Sequence, residues 1–133
     1  MESNSNNQDQ RKSERLDTAF TLIYQVEKPL ALRMELGFTN SIDALMLDLS
    51  DLGMAIITRH DLPVGTQLCI KFNIIDLHLE GDARWQPMEI TGQTVSNILL
   101  PDSSHRIGMR FDRISEADKL AISNFVRRNK LLA

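Results

Sequence analysis

Two polar motifs hold the residues of this chain that could do chemistry. In Asp48-Leu49-Ser50-Asp51-Leu52-Gly53 a carboxylate and a hydroxyl stand two residues apart. In an extended chain Asp48 and Ser50 therefore leave the same face, and Leu45, Leu47 and Leu49 leave the other. Gly53 closes the motif, where the missing Cβ permits an unusual backbone angle or a close approach. Upstream, Arg11-Lys12-Ser13-Glu14-Arg15 supplies two guanidinium groups, planar and permanently charged forks that suit phosphate oxygens and the O6 and N7 acceptors of guanine. Each motif alone also fits a plainer reading. The first can be a strand running into an Asp/Ser-rich turn, the second a solvated surface pair.

The elements that must position these residues are mostly strands. Ser41 to Leu47 is apolar enough for a strand buried on one face and part of the other, and the DLSDLG motif follows directly. Ala19 to Val26 reads as the first strand. Leu30, Leu32, Met34 and Leu36 alternate with Ala31, Arg33 and Glu35 between Pro29 and Gly37, which favours a short strand although several of these residues are good helix formers. Gly37-Phe38-Thr39-Asn40 is a turn. Further strands are expected over Met54 to Thr58, Leu68 to Phe72, Leu77 to Trp85, Ile90 to Leu100 and Arg106 to Phe111, with Pro87 as an interruption.

Six or seven short strands with turns between them indicate a mainly β, antiparallel barrel or sandwich. The last element is a helix. Ser115 can cap it with Asp118 three residues on, Ala117, Ala121 and Phe125 share a face, and Arg127, Arg128 and Lys130 sit where cations suit the negative end of the dipole.

At 133 residues the length suits one domain with a real core. Residues 1–10 are polar apart from Met1 and are expected to form a disordered tail, with the globular domain over 11–133. The arginine pair lies at that junction, where it could wrap onto a ligand. A formal charge of −3 argues against general DNA or RNA binding, which relies on neutralising many phosphates. The single cysteine, Cys69, excludes an internal disulfide and suits a reducing cytosol. The segment MESNSNNQDQ lacks the apolar core of a signal peptide, and no stretch has the length and hydropathy for membrane insertion.

Catalysis finds little support. Ser50 lacks the setting of a nucleophile elbow, and His60, His78 and His105 have neither nucleophile nor metal spacing. Cys69 alternates within a strand as a packed or half-exposed thiol would. Met34, Met46, Met54, Met88 and Met109 suit core packing, and no phosphate-cradling Gly-rich loop is present. No catalytic residue, metal site or cofactor is expected.

Together, RxxxR at Arg11 and Arg15 and DxSxxG at Asp48, Ser50 and Gly53 resemble the PilZ domain, a bacterial receptor for cyclic di-GMP. RIGMRF before the last helix looks like the family's last barrel strand, and GDARW like the region before it. The resemblance implies a six-stranded antiparallel barrel with a C-terminal helix. It also implies ligand contacts at Arg11, Arg15, Asp48, Ser50 and Gly53, and an unidentified effector protein as partner. The alternative is a PilZ-like adaptor that acts through protein contacts without nucleotide, and an unrelated small β-barrel enzyme ranks third.

Overall fold

Alternating apolar residues build six strands whose buried members all point into one barrel. The computed structural model describes residues 16–37, 41–77 and 83–132. Its strands are β1 (Leu16–Lys28), β2 (Ile42–Leu49), β3 (Gly53–Thr58), β4 (Gln67–Leu77), β5 (Ala83–Leu99) and β6 (His105–Arg113). They close in the order β1-β2-β3-β6-β5-β4, every neighbouring pair antiparallel. Closure pairs both edges of the core strands, and the β4–β5 hairpin runs on past its neighbours, beyond Lys71 of β4 and before Thr91 of β5. Leu22, Tyr24 and Val26 meet Leu68, Ile70 and Ile74 inside, with Met46, Met54, Ile56, Met88, Ile90, Ile107 and Met109 completing the core. A hydroxyl pair buried there is satisfied: Tyr24 Oη lies 2.7 Å from Thr58 Oγ1. Burial pushes the Tyr24 phenol above its ordinary pKa, and the Thr58 bond pulls the other way.

The C-terminal helix, α2 (Glu116–Leu132), follows a short helix, α1 (Leu30–Glu35), in chain order. Ser115 Oγ accepts the Asp118 N–H at 3.1 Å, so the expected cap forms. The buried stripe is Ile122, Phe125 and Val126 with Ala121 beside it, whereas Ala117 faces solvent. Phe125 meets Phe20 of β1 with ring centroids 5.8 Å apart, which seats the helix against the barrel. Each such buried side chain contributes about 1.5–3 kcal/mol.

Three expectations from the sequence are corrected. Residues 30–35 form α1 and not a strand: Leu30 and Met34 are exposed, so their alternation marks no buried face, and the helix-forming residue types prevail. Gly37, with φ of 102°, ends it in a left-handed conformation. Next, the alternating run from Leu77 to Trp85 is not one strand. Leu77 ends β4, Ala83 begins β5 opposite it, and residues 78–82 lie outside the described residues. Finally, Pro87 interrupts nothing. It sits within β5 opposite Asn73, and β5 pairs with β6 only from Thr91 onward, so the missing N–H takes no bond from that side.

Candidate functional site

A bulge in β2 creates the site. Met46 stands opposite Ile56 and Asp48 opposite Ala55, so two residues of β2 face one of β3 and Leu47 is the extra one. Met46 and Leu49, three residues apart, are consequently both fully buried in the core. The alternation expected from the sequence is thus corrected: Leu49 turns inward, while Asp48 joins Leu45 and Leu47 on the outer wall. Ser50, on the far side of Leu49, stays with Asp48.

Asp48 is held although it lies on the outside. Its Oδ1 accepts the Ala55 N–H at 3.1 Å, and its Oδ2 lies 3.6 Å from Arg106 Nη2. Asp48 is only 5% exposed, so this charge is placed and partnered in a way that a solvated surface aspartate is not. Arg106 belongs to β6, and β3 lies between β6 and β2. Its side chain therefore crosses over β3, where Ala55 offers only a methyl group and leaves room.

Ser50 and Gly53 build the turn between β2 and β3. The Ser50 N–H donates to the Gly53 carbonyl at 2.9 Å, and Ser50 Oγ accepts the Leu52 N–H at 3.2 Å and donates to the same carbonyl at 3.4 Å. The Leu52 carbonyl then accepts the Phe111 N–H at 2.9 Å, which ties the turn to β6. Gly53 pairs with Arg110, and a Cβ there would overlap the Met109 carbonyl oxygen. The glycine is needed for close packing of β3 on β6, since its φ is not among the positive ones. Asp51, at the tip of the turn, keeps Oδ1 buried without a hydrogen-bond partner among the described residues.

Asp48, Ser50 and Gly53 are thus brought together at one end of β2 and β3. Arg11 and Arg15 lie outside the described residues. Sequence reasoning did not single out Arg106 as a site residue. Its signal was available in RIGMRF, where arginines alternate with the core residues Ile107 and Met109, but nothing local tells which strand lies beside β6. Elsewhere the chemistry is sparse. Cys69 is half-buried, and burial first, then Glu89 and Glu27, push its thiol pKa up, which keeps it protonated and unreactive near neutrality. Among the described residues no group of His, Cys, Asp or Glu could hold a metal ion, and no helix is long and apolar enough to cross a membrane.

A closed antiparallel barrel with a C-terminal helix, carrying a polar cluster on its wall and an apolar interior, defines a small β-barrel domain whose site faces outward. A family model, the PilZ domain, matches residues 9–128, and the chain belongs to that family. Among curated proteins none matches the sequence. Solved structures share the fold. The Bacillus subtilis inhibitor of motility (MotI/DgrA) is 17% identical with a TM-score of 0.70, over 92% of this chain and 52% of that one. YcgR from Escherichia coli in complex with c-di-GMP is 13% identical with a TM-score of 0.60, over 92% of this chain and 47% of that one. The chain thus spans about half the length of these two relatives, at 52% and 47%. The PilZ domain of YcgR with c-di-GMP is 15% identical with a TM-score of 0.58, over 92% of this chain and 96% of that one.

Proposed function

We propose that this protein is a cytoplasmic receptor for cyclic di-GMP that binds the dinucleotide through Arg11, Arg15, Asp48, Ser50 and Gly53 and regulates a separate partner protein. The observation that carries the reading is the outer-wall carboxylate of Asp48, held by the Ala55 N–H beside a turn that Ser50 and Gly53 shape, in a member of a family whose solved relatives include c-di-GMP complexes. Each residue type has a complement on the ligand. Asp48 offers acceptors to the N1 and N2 donors of guanine, which adenine does not reproduce. Arg11 and Arg15 carry forks for phosphate and for the O6/N7 edge, and each can stack on a base. The hydroxyl of Ser50 acts chiefly on the turn and so sets the position of Asp48.

A protein output suits the reading, since one relative of the same fold is named an inhibitor of motility. The test is a calorimetric titration with cyclic di-GMP, which reports affinity and stoichiometry together. Saturable binding with selectivity over cyclic di-AMP supports the receptor reading. No binding rejects it and leaves the adaptor that acts through protein contacts alone.

A further inference from the structure

The wall of β6 carries a second pair of arginines facing the same site. Arg106, Gly108 and Arg110 alternate with Ile107 and Met109, which are buried in the core, so all three present their side-chain positions outward. In register they stand opposite Ile57, Ala55 and Gly53 of β3, and Ala55 in turn stands opposite Asp48. R-x-G-x-R on β6 and D-x-S-x-x-G on β2 and β3 are therefore two banks of one strip of barrel wall. The floor between them is low. It consists of the Ala55 methyl group and the Gly108 backbone, and on the far side of β6 Ser96 of β5 covers the glycine with its Oγ, which accepts the Gly108 N–H at 3.1 Å.

The fold accounts for only part of the charge on this bank. Arg110 is exposed and has no carboxylate partner among the described residues. Arg106 has one, Asp48, but at 3.6 Å the contact is longer than a charge-assisted hydrogen bond, and the arginine side chain is 39% exposed. Two guanidinium groups flank one glycine with Cα atoms about 13 Å apart, by the rise of an extended strand. Flexible side chains of this length can converge over Gly108, but their like charges oppose it unless an anion lies between them.

We propose that Arg106 and Arg110 contact the bound cyclic dinucleotide directly, as a second guanidinium pair over Gly108, with Arg106 turning from Asp48 to the ligand. The inference rests on the receptor reading and adds to it a phosphate-binding bank on β6 that neither sequence motif contains. With Arg106 turned to the ligand, Asp48 Oδ2 accepts from the guanine donors in place of the guanidinium, so both halves of the ion pair gain a ligand partner. The exchange keeps both groups hydrogen-bonded: Arg106 gains a phosphate oxygen, and Asp48 gains the neutral N–H donors of guanine.

Binding isotherms for cyclic di-GMP on the full chain, at two or more salt concentrations, test it. The proteins are wild type, Arg106→Ala, Arg106→Lys, Arg110→Ala, Asp48→Ala, the Asp48→Ala/Arg106→Ala double variant, and Arg113→Ala as a control at the far end of β6. Arg106→Ala and Arg110→Ala should each weaken binding by roughly tenfold or more with a shallower salt dependence; the thermal midpoint should be unchanged in Arg110→Ala and lowered in Arg106→Ala, which takes this cation from the buried Asp48 carboxylate. Arg106→Lys should keep the salt dependence and recover part of the affinity, and Arg113→Ala should bind as wild type. Wild-type affinity in both single alanine variants overturns the inference and leaves the receptor reading standing. Loss of the Arg106→Ala effect in the Asp48→Ala background overturns it too, since Arg106 would then act only by positioning Asp48. Absence of binding by wild type overturns both.

Discussion

Arg106 on β6 and Asp48 on β2 meet at 3.6 Å across the width of β3, which separates their strands. The contact requires the bulge at Leu47 to turn Asp48 outward and a small residue, Ala55, beneath the crossing side chain. It makes Asp48 a buried, partnered carboxylate, so a substitution there is expected to act on the fold as well as on ligand choice.

Asp48→Ala should destabilise the barrel by about 1–3 kcal/mol, because the Ala55 N–H loses its acceptor in a buried position. Asp48→Asn, which keeps an acceptor oxygen, should lose less. Denaturant unfolding of the two variants measures this. In parallel isotherms, wild type should prefer cyclic di-GMP to cyclic di-AMP by several kcal/mol, and the gap should narrow in Asp48→Ala. Equal binding of both nucleotides by wild type would remove Asp48 from the site.

Arg11→Ala and Arg15→Ala should each weaken cyclic di-GMP binding by about 1.5–3 kcal/mol per lost charge-assisted contact. Their unfolding midpoints should match wild type, since both arginines precede the first strand in sequence. Calorimetry and a thermal melt on each variant separate the two effects. Unaltered affinity in both would exclude the RxxxR contribution.

Gly53→Ala should unfold well below wild type, with a loss of about 1–3 kcal/mol. The added Cβ would overlap the Met109 carbonyl oxygen on β6, and that atom belongs to a paired backbone that cannot move alone. Gly65→Ala offers a contrast. Its Cβ would meet nothing, but its φ of 96° makes any side chain strained, so the smaller loss there reports conformation alone. Comparable losses at both positions would argue against the steric account of Gly53.

Tyr24→Phe should flatten the alkaline limb of the stability curve. In the folded protein, burial holds the Tyr24 phenol in its neutral form above the ordinary value. Past a pH of about 10 the unfolded chain releases this proton while the folded one keeps it, so stability falls as pH rises through that range. Below it the contribution is fully present. The variant should also lose about 0.5–1.5 kcal/mol at neutral pH with the Thr58 hydrogen bond. Denaturant midpoints between neutral and alkaline pH check both parts, and an unchanged alkaline slope would assign that limb to other groups.

How far the sequence carries depends on what local periodicity can report. It tells which side chains share a face within one strand, and so it was enough for a mainly β, antiparallel barrel or sandwich, with the barrel itself implied by the PilZ resemblance, and for the Ser115-capped final helix. Asp48, Ser50 and Gly53 stood out as a unit only through the resemblance that DxSxxG and RxxxR carry together, since DLSDLG alone also reads as a strand end and turn. The tertiary structure decided the rest. Leu30–Glu35 became α1 because only Leu32 and Leu36, four residues apart as on one helix face, pack against the core while Leu30 and Met34 stay exposed, and Leu77 to Trp85 divided between β4 and β5 because pairing of the two strands outweighed an unbroken local pattern. The bulge at Leu47 reversed Leu49 because closing β2 against β3 favoured two core residues, Leu49 and Met54, opposite one another. Arg106 reaches Asp48 only because the barrel closes in the order β2-β3-β6, a relation between residues distant in the chain that is set by long-range packing and has no period to betray it.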